Sequence, residues 1–205
     1  MIVELSGALV FGAATIALAL SFVALERLVR TRDVPTEITR RVAHVLACLF
    51  ALLVHTLVPV WLFVVLSLVF AALMWLSRHF HVFTAIHKVR RRSLGDVYLP
   101  LGIGTAALLG QADTAVFVAA VLILGLADVA AGLVGDYLRS SRKTWWGSGA
   151  FLAVSVVVLA LCGFPVVAIA AVALLATVTE RYSPLGTDNV SIPFVVAGLL
   201  AISAT

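Results

Sequence analysis

The chain has 205 residues, of which 63% are hydrophobic and 12% charged, with a formal net charge of +4 and a mean hydropathy of +1.17. Soluble domains average about 45–50% apolar and about 25% charged residues, so this composition excludes an ordinary soluble domain and predicts one integral membrane domain over residues 1–205. The basic residues lie in short loops without interleaved exposed aromatics, so the positive charge does not indicate a nucleic-acid partner.

Eight apolar segments follow one another along the chain and predict an all-α, polytopic membrane bundle with about eight transmembrane segments, within a range of seven to nine. The segments cover residues 5–28, 42–57, 59–77, 97–110, 114–138, 149–163, 165–179 and 190–204. Several are shorter than the ~20 residues that span a bilayer comfortably. The segments at 97–110 and 165–179 are therefore expected to be tilted, partly re-entrant or shielded within the bundle. Pro59 and Gly163–Pro165 predict tight turns.

The basic residues predict the orientation of the chain in the membrane. All 14 Lys and Arg residues fall in the loops after segments one, three, five and seven or at the very end of the segment before the loop: Arg27, Arg30, Arg32, Arg40, Arg41, Arg78, Lys88, Arg90, Arg91, Arg92, Arg139, Arg142, Lys143 and Arg181. By the positive-inside rule these four loops are cytosolic, and both termini lie on the opposite side. Cys48 and Cys162 both fall in apolar runs, so we interpret them as core residues rather than a disulfide or a metal pair.

Segment two opens with a small basic cluster, and segment four is preceded by another. Arg40 and His44 are four residues apart and share a helix face beside Arg41, where free backbone N–H groups at a helix start can bind an anion. The alternative is a basic membrane flank with a buried histidine. Arg92, Gly95 and Asp96 precede segment four, and Asp96 has the alternative role of a favourable charge at a helix start.

Segment five contains Asp128 deep within an apolar run. A carboxylate at such a depth costs several kcal/mol unless it is paired, so it is a functional candidate by default. On a continuous α-helix it shares one face with small residues and a second acid, namely Gly125, Ala131, Gly132, Gly135 and Asp136. That face would let a phosphate or another backbone approach closely. The alternative is a small-residue face for helix packing, which explains the glycines but not the acid.

Polar motifs also lie at the starts or ends of segments six to eight. Lys143 and Thr144 precede Gly147, Ser148 and Gly149, a loop in which a lysine can neutralise a phosphate. Trp145 and Trp146 are interpreted as interfacial anchors rather than nucleobase stackers. Glu180 ends segment seven, and Gly186, Thr187, Asp188 and Asn189 open segment eight, where Asp188 or Asn189 has the alternative role of a helix cap.

The acids and bases of these motifs are all predicted to lie at one face of one membrane. Carboxylates bind Mg²⁺, and Arg or Lys bind phosphate, so the set is suited to nucleotide phosphoryl transfer. The chain has no Walker-type Gly-rich loop, so the usual ATP-binding motif is absent.

The motifs as a set resemble the dolichol kinase and phytol kinase family of CTP-dependent lipid kinases, which is related to the phosphatidate cytidylyltransferases. They are, in order, Arg40-Arg41-x-x-His44, Arg92-x-x-Gly95-Asp96-x-Tyr98-x-Pro100, Asp128-x-x-Ala131-x-x-x-Gly135, Lys143-Thr144-x-x-Gly147-Ser148 and Glu180-x-x-x-x-x-Gly186-x-Asp188-Asn189. The resemblance covers residues 38–195. The chain departs from the family pattern at Arg41 (often Lys), Asp96 (often Glu), Trp146 (often Glu) and Arg139 (often Gly).

The resemblance implies a kinase that transfers the γ-phosphate of CTP to an isoprenoid or other lipid alcohol at the cytosolic face, with Mg²⁺ as cofactor. It implies a catalytic group made of Asp128, Arg40, Arg41 and Lys143. It implies a nucleotide-binding group made of Gly132, Gly135, Lys143, Thr144, Gly147, Ser148, Asp188, Asn189, Arg92 and His44. The implied metal ligands are Asp128, Glu180 and Asp188.

Two other functions remain open from the sequence. A cytidylyltransferase that makes a CDP-lipid uses the same CTP and Mg²⁺, and the short chain and the Asp128-to-Lys143 spacing favour the kinase. A small transporter would use Asp128 as a coupling site, but the polar residues cluster at one face and no inverted repeat is found. The expected partners are the lipid alcohol, the nucleotide and membrane lipids, and an oligomer is possible.

Overall fold

The computed structural model describes residues 2–32, 34–80, 93–140 and 142–203. Within these ranges the chain forms eight helices and no β-strand, so the prediction of an all-α membrane bundle is confirmed. The helices are α1 (Ile2–Arg32), α2 (Thr36–His55), α3 (Val60–His79), α4 (Gly95–Leu109), α5 (Thr114–Tyr137), α6 (Trp145–Leu161), α7 (Val166–Tyr182) and α8 (Asp188–Ser203). Each predicted apolar segment corresponds to one of them.

Three of the described helices are long and apolar enough to cross a membrane, namely α2, α3 and α5. The helices α4, α6 and α8 are apolar but only 15, 17 and 16 residues long. The number of spans therefore stays a prediction, whereas the class of the protein, an integral membrane protein, follows from the long apolar helices.

Prolines and short polar side chains determine where several helices begin. Pro35, Pro59 and Pro165 immediately precede α2, α3 and α7 in extended conformations, where a fixed φ and a missing N–H are tolerated. The Asp113 side chain caps α5 by accepting a hydrogen bond from the Ala115 amide. Gly163 has a φ of +81°, which confirms the predicted turn between α6 and α7.

Helix α5 lies at the centre of the bundle. In α5, 56% of the most apolar 18-residue stretch is buried inside the bundle, compared with 33% of the corresponding stretch in α2 and 22% in α3. Phe117, Ile123 and Leu124 on α5 are fully buried together with Phe151 of α6 and Ile192 of α8. Helices α2, α4, α6 and α8 pack around α5, so a polar group on it is enclosed on several sides.

The helix α5 is not a regular α-helix throughout. It consists of an α-helix at Thr114–Leu122, a π-helical turn at Ile123–Ala127 and an α-helix at Asp128–Tyr137. The π turn accommodates extra backbone per turn, so it breaks the 3.6-residue periodicity that would place Gly125 and Asp128 on one face. The structure differs from the sequence expectation here, because the expected face assumed an unbroken α-helix.

Small residues allow close contacts between several helices. A Cβ atom on Gly125 would lie 2.9 Å from the Cβ of Cys48, and one on Gly147 would lie 2.9 Å from the backbone oxygen of Ala131. At Gly102 a Cβ would overlap the backbone oxygen of Asn189. The packing alternative therefore applies at Gly125, where α2 approaches α5. Cys48 is buried and Cys162 is partly buried, and within the described residues both are free thiols.

Candidate functional site

The starts of α2, α4, α6 and α8 meet the ends of α3, α5 and α7 at one end of the bundle. Ion pairs and hydrogen bonds between these helix ends join residues that are far apart in the chain: Arg41 to Asp136, Lys143 to Asp188 and Asn189 to Gly95. This end therefore gathers most of the polar residues that the sequence singled out.

Lys143 is the centre of a cluster of charges in front of α6. Its Nζ atom lies 3.0 Å from Oε1 of Glu180 and 2.8 Å from Oδ2 of Asp188. It also donates a hydrogen bond to the backbone carbonyl of Glu180. The Glu180 side chain is only 5% exposed, so the lysine supplies the opposite charge that a buried carboxylate requires.

The environment of Lys143 keeps its ammonium group charged. Burial by itself would lower the pKa of Lys143, but the carboxylates of Asp188 and Glu180 outweigh it and raise the pKa above its ordinary value. Since the pKa of Lys143 is higher in the folded than in the unfolded protein, the contribution of its ion pairs to the stability of the fold is fully present at neutral pH. It is lost only as the pH rises through the raised value.

Further contacts surround this cluster on α6 and α7. Ser148 Oγ donates to Glu180 Oε2 at 3.3 Å, and Nη1 of Arg181 lies 3.5 Å from the same hydroxyl. The Arg181 guanidinium also lies 3.6 Å from the centre of the Trp145 ring, in a cation–π contact. Trp145 and Trp146 are largely exposed.

Asp128 begins the second α-helical part of α5, directly after the π turn. The residue is partly buried, and its carboxylate forms no hydrogen bond or ion pair within the described ranges. The charged groups close enough to act on it electrostatically are Asp188, Lys143, Glu180 and Arg40. The carboxylate therefore lies beside the Lys143 cluster without being neutralised by direct contact.

Arg40 and Asn189 connect the start of α4 to its neighbours. Arg40 Nη2 donates to Ser93 Oγ at 3.2 Å, and the same hydroxyl accepts the Gly95 amide at 3.1 Å. The Asn189 side chain is buried and donates through Nδ2 to the Gly95 carbonyl at 2.6 Å. The Asn189 amide group thus holds α8 against α4 at this point.

Arg41 lies on the outer side of the site. It donates through Nε and Nη2 to Oδ2 of Asp136, at 2.9 and 2.5 Å. A Cβ on Gly132 would overlap the Arg41 guanidinium, whereas a Cβ on Gly135 would meet no described residue within 4 Å. The small face of α5 therefore accommodates an arginine at Gly132 and is open at Gly135.

Two residues expected near the nucleotide, Thr144 and His44, contact backbone groups in this arrangement. Thr144 is the N-cap of α6, and its hydroxyl accepts the Gly147 amide at 2.9 Å. His44 Nε2 lies 3.2 Å from the Leu124 carbonyl within the π turn. Arg92 lies outside the described residues.

The sequence interpretation missed two residues of this region. Arg78 donates through Nε to Oδ2 of Asp96 at 3.1 Å, and through Nη2 to the Ser93 carbonyl. Ser93 links Arg40, Arg78 and Gly95. The Ser-x-x-Asp pattern of Ser93 and Asp96 ahead of an apolar run is a helix-start signal that could have identified Ser93. No comparable local pattern predicts the partner of Arg78.

The predicted metal ligands do not form a compact group of their own. Among the described residues no set of three or more His, Cys, Asp or Glu side chains is arranged to hold a metal ion. Glu180 and Asp188 share Lys143, and Asp128 lies apart from direct contact with them.

The chain is similar to a known protein, a distant relative. The chain is 27% identical over 179 residues to the phytol kinase of Synechocystis sp., an alignment that covers 78% of this chain and 76% of that protein. No protein-family model matches the chain, and no solved structure matches it. The resemblance to the phytol kinase and dolichol kinase family is therefore confirmed, at the level of a distant relative.

Proposed function

We propose that this protein, a distant relative of a phytol kinase, is a membrane-embedded kinase that transfers the γ-phosphate of CTP to an isoprenoid or related lipid alcohol. The observation that carries the proposal is the position of Asp128. Its carboxylate has no direct partner among the described residues and lies beside Lys143, Glu180 and Asp188, at the end of the bundle where seven of the described helix ends meet. Phosphoryl transfer depends mainly on positioning and on neutralising charge, which such a cluster can provide.

Basic residues of the site would bind the phosphates. Lys143 is the cation nearest to the three carboxylates, and Arg40 and Arg41 extend the positive surface along α2. Arg41 already contacts the small face of α5 at Gly132, so a triphosphate at the neighbouring, open Gly135 would lie within reach of its guanidinium. Glu180 and Asp188 would hold Lys143 in place while it neutralises the transferring group.

The donor set fits Mg²⁺. In nucleotide sites Mg²⁺ is held by one or two carboxylates together with substrate phosphates, so a complete protein cage is not required. Asp128 has no competing partner among the described residues, and Asp188 is the like-charged group that acts on it most strongly. Asp128 with Asp188 or Glu180 would hold the ion, which neutralises charge on the triphosphate when bound.

An apolar cavity of about 220 Å³ lies between α1, α2, α3 and α4. Its lining on α2 includes Ala47, Ala51 and Val54, and its lining on α4 includes Leu99 and Pro100. Leu99 and Pro100 follow Asp96 within little more than one helical turn, so the cavity begins just below the polar site. We propose that it receives the hydrocarbon chain of the alcohol, whose hydroxyl group then faces the polar residues.

Transfer of labelled phosphate tests the proposed function. Purified protein in detergent or lipid nanodiscs is incubated with Mg²⁺, an isoprenoid alcohol such as phytol, and CTP labelled at the α- or γ-phosphate. We expect the lipid to become labelled when the label is on the γ-phosphate of CTP, and not when it is on the α-phosphate. We also expect faster turnover with CTP than with ATP at equal concentration.

The same experiment distinguishes the alternative. A cytidylyltransferase given a lipid phosphate would transfer label from α-CTP and release γ-label as pyrophosphate. Failure to label any of a panel of lipid alcohols would contradict the kinase proposal, and equal turnover with ATP would contradict the CTP preference.

The active site is proposed to face the cytosol. The helix ends that form the site carry Arg40, Arg78 and Arg139, together with Lys143 and Arg181. This bias toward basic residues is typical of the cytosolic side of a membrane protein. CTP made in the cytosol would then reach the site directly.

A further inference from the structure

The π-helical turn in α5 changes the backbone hydrogen bonding just before Asp128. The Asp128 amide donates to the carbonyl of Ile123, five residues back. In an α-helix it would donate to Leu124, four residues back. The Leu124 carbonyl therefore loses that amide, in a stretch where the side chains of Ile123 and Leu124 are fully buried. A buried carbonyl left without a donor costs about 1–3 kcal/mol.

His44 supplies a donor to this carbonyl. Its Nε2 atom lies 3.2 Å from the Leu124 oxygen, although the two residues are 80 positions apart. A carbonyl oxygen only accepts hydrogen bonds, so the contact requires the hydrogen on Nε2. Cys48, one turn further along α2, packs against Gly125 in the same π turn. Helix α2 therefore contacts the π turn in two places, through the hydrogen bond of His44 and through the close packing of Cys48.

We propose that His44 is a positioning residue, which stabilises the π turn and thereby sets the direction of the Asp128 carboxylate, rather than a residue that binds the nucleotide. A residue in an α-helix rotates by about 100° about the axis relative to its neighbour. If the π turn relaxed to regular α-helix, the residues that follow would rotate about the helix axis by about the angle of one residue. Asp128 would then point away from Lys143 and Asp188.

Two substitutions of His44 test the role, with a matched control at the other end of the same helix. His44→Leu removes the donor, whereas His44→Gln keeps an N–H group at a similar distance from the backbone. His55→Leu is the control, because the Nε2 atom of His55 is buried and has no hydrogen-bond partner in the described structure.

The kinetic test rests on the proposed function. We expect His44→Leu to lower kcat about 100-fold, as a small displacement of a reacting group does, with KM for CTP within about twofold of wild type. His44→Gln should recover most of kcat, and His55→Leu should leave it unchanged. A large rise in KM for CTP with kcat retained in His44→Leu would overturn the proposal, because it would identify a nucleotide ligand.

A second measurement does not depend on activity. Amide hydrogen exchange over residues 123–130 should be faster in His44→Leu than in wild type and close to wild type in His44→Gln and His55→Leu. If the wild-type protein phosphorylates no alcohol but this exchange pattern holds, the kinase proposal fails and the positioning role stands. Unchanged exchange in a fully active His44→Leu protein would overturn the positioning role alone.

Discussion

Asp128 is the residue on which the proposed chemistry depends most. Asp128→Asn keeps the size of the side chain but removes the charge, so we expect phosphoryl transfer to fall by about 100-fold or more. Since Asp188 and Glu180 act on Asp128 as like charges, the substitution relieves repulsion and should not lower thermal stability.

Turnover and melting temperature of Asp128→Asn are measured in the same detergent. Asp113→Asn is the matched control, because Asp113 caps α5 at the opposite end and Asn caps a helix equally well. A stable Asp128→Asn protein with wild-type turnover would contradict the catalytic role.

Arg139 is one of the departures from the family pattern, and its backbone conformation is unusual. Its φ of +52° lies in the left-handed region just after α5, and the Ser140 amide reaches back to the Gly135 carbonyl at 3.0 Å. This is the helix C-terminal position that favours Gly, which the related family often has here. The backbone conformation therefore explains why Gly is favoured at this position, which Arg139 occupies at a conformational cost.

We expect Arg139→Gly to stabilise the protein by about 1 kcal/mol, because a side chain in the left-handed region costs ~1–2 kcal/mol. The melting temperature should rise by about 2–4 °C for a chain of this size. Arg139→Ala removes the same charge but keeps a Cβ, so it should show no such gain. Equal melting temperatures for the Gly and Ala variants would contradict this explanation.

At the scale of the helices, the cavity between α1 and α4 predicts which substitutions affect the lipid. Ala51 lines the cavity, and Ala51→Phe would fill part of it. We expect KM for a C20 alcohol to rise about tenfold, the effect of losing ~1.4 kcal/mol of binding, while a short alcohol is affected less.

Initial rates over a series of chain lengths measure this effect. Leu49→Phe is the control, because Leu49 is on the same helix but 51% exposed. If Ala51→Phe raised KM equally for short and long alcohols, the cavity would not be the site of the chain.

The positions of the helices could be predicted from the sequence, because long apolar runs bounded by Pro, Gly and charges have few alternatives. Their internal geometry could not. The composition of an apolar run gives no sign of the π turn at Ile123–Ala127. The turn is stabilised by His44, which is far away in the sequence but in contact with it in the fold. For this reason the face of Asp128 could not be derived from helical spacing alone.

In the candidate site, too, the positions of the polar residues could be predicted but their contacts could not. Polar residues at helix ends were identified because a charge beside an apolar run is easily seen. The sequence did not indicate which of them pair. Lys143 with Glu180 and Asp188 could equally have been three separate phosphate or metal contacts, and Asn189 bonds a backbone carbonyl of α4. Such pairings depend on tertiary packing rather than on local pattern.

At the scale of the whole molecule, the distribution of basic residues predicts the orientation. In a background with Cys48 and Cys162 replaced by Ala, we expect Arg142→Cys to be protected from a membrane-impermeant maleimide in intact cells. Gln111→Cys, in the exposed loop before α5, should be labelled.

Both positions should react after the cells are permeabilised, which controls for access to the thiol. Labelling of Arg142→Cys in intact cells would contradict the cytosolic site and the prediction that both termini face the other side.

The hydrogen bond from Asn189 to the Gly95 carbonyl also has a consequence for the order of events during biosynthesis. Its two partners are 94 residues apart, so at ~5–20 residues per second the start of α4 is made several seconds or more before the side chain that holds it. Asp188, which pairs with Lys143, emerges from the ribosome at the same late moment as Asn189. A nascent chain therefore contains Asp128 and Lys143 long before the arrangement around them is complete, and the activity would begin only once α8 has inserted.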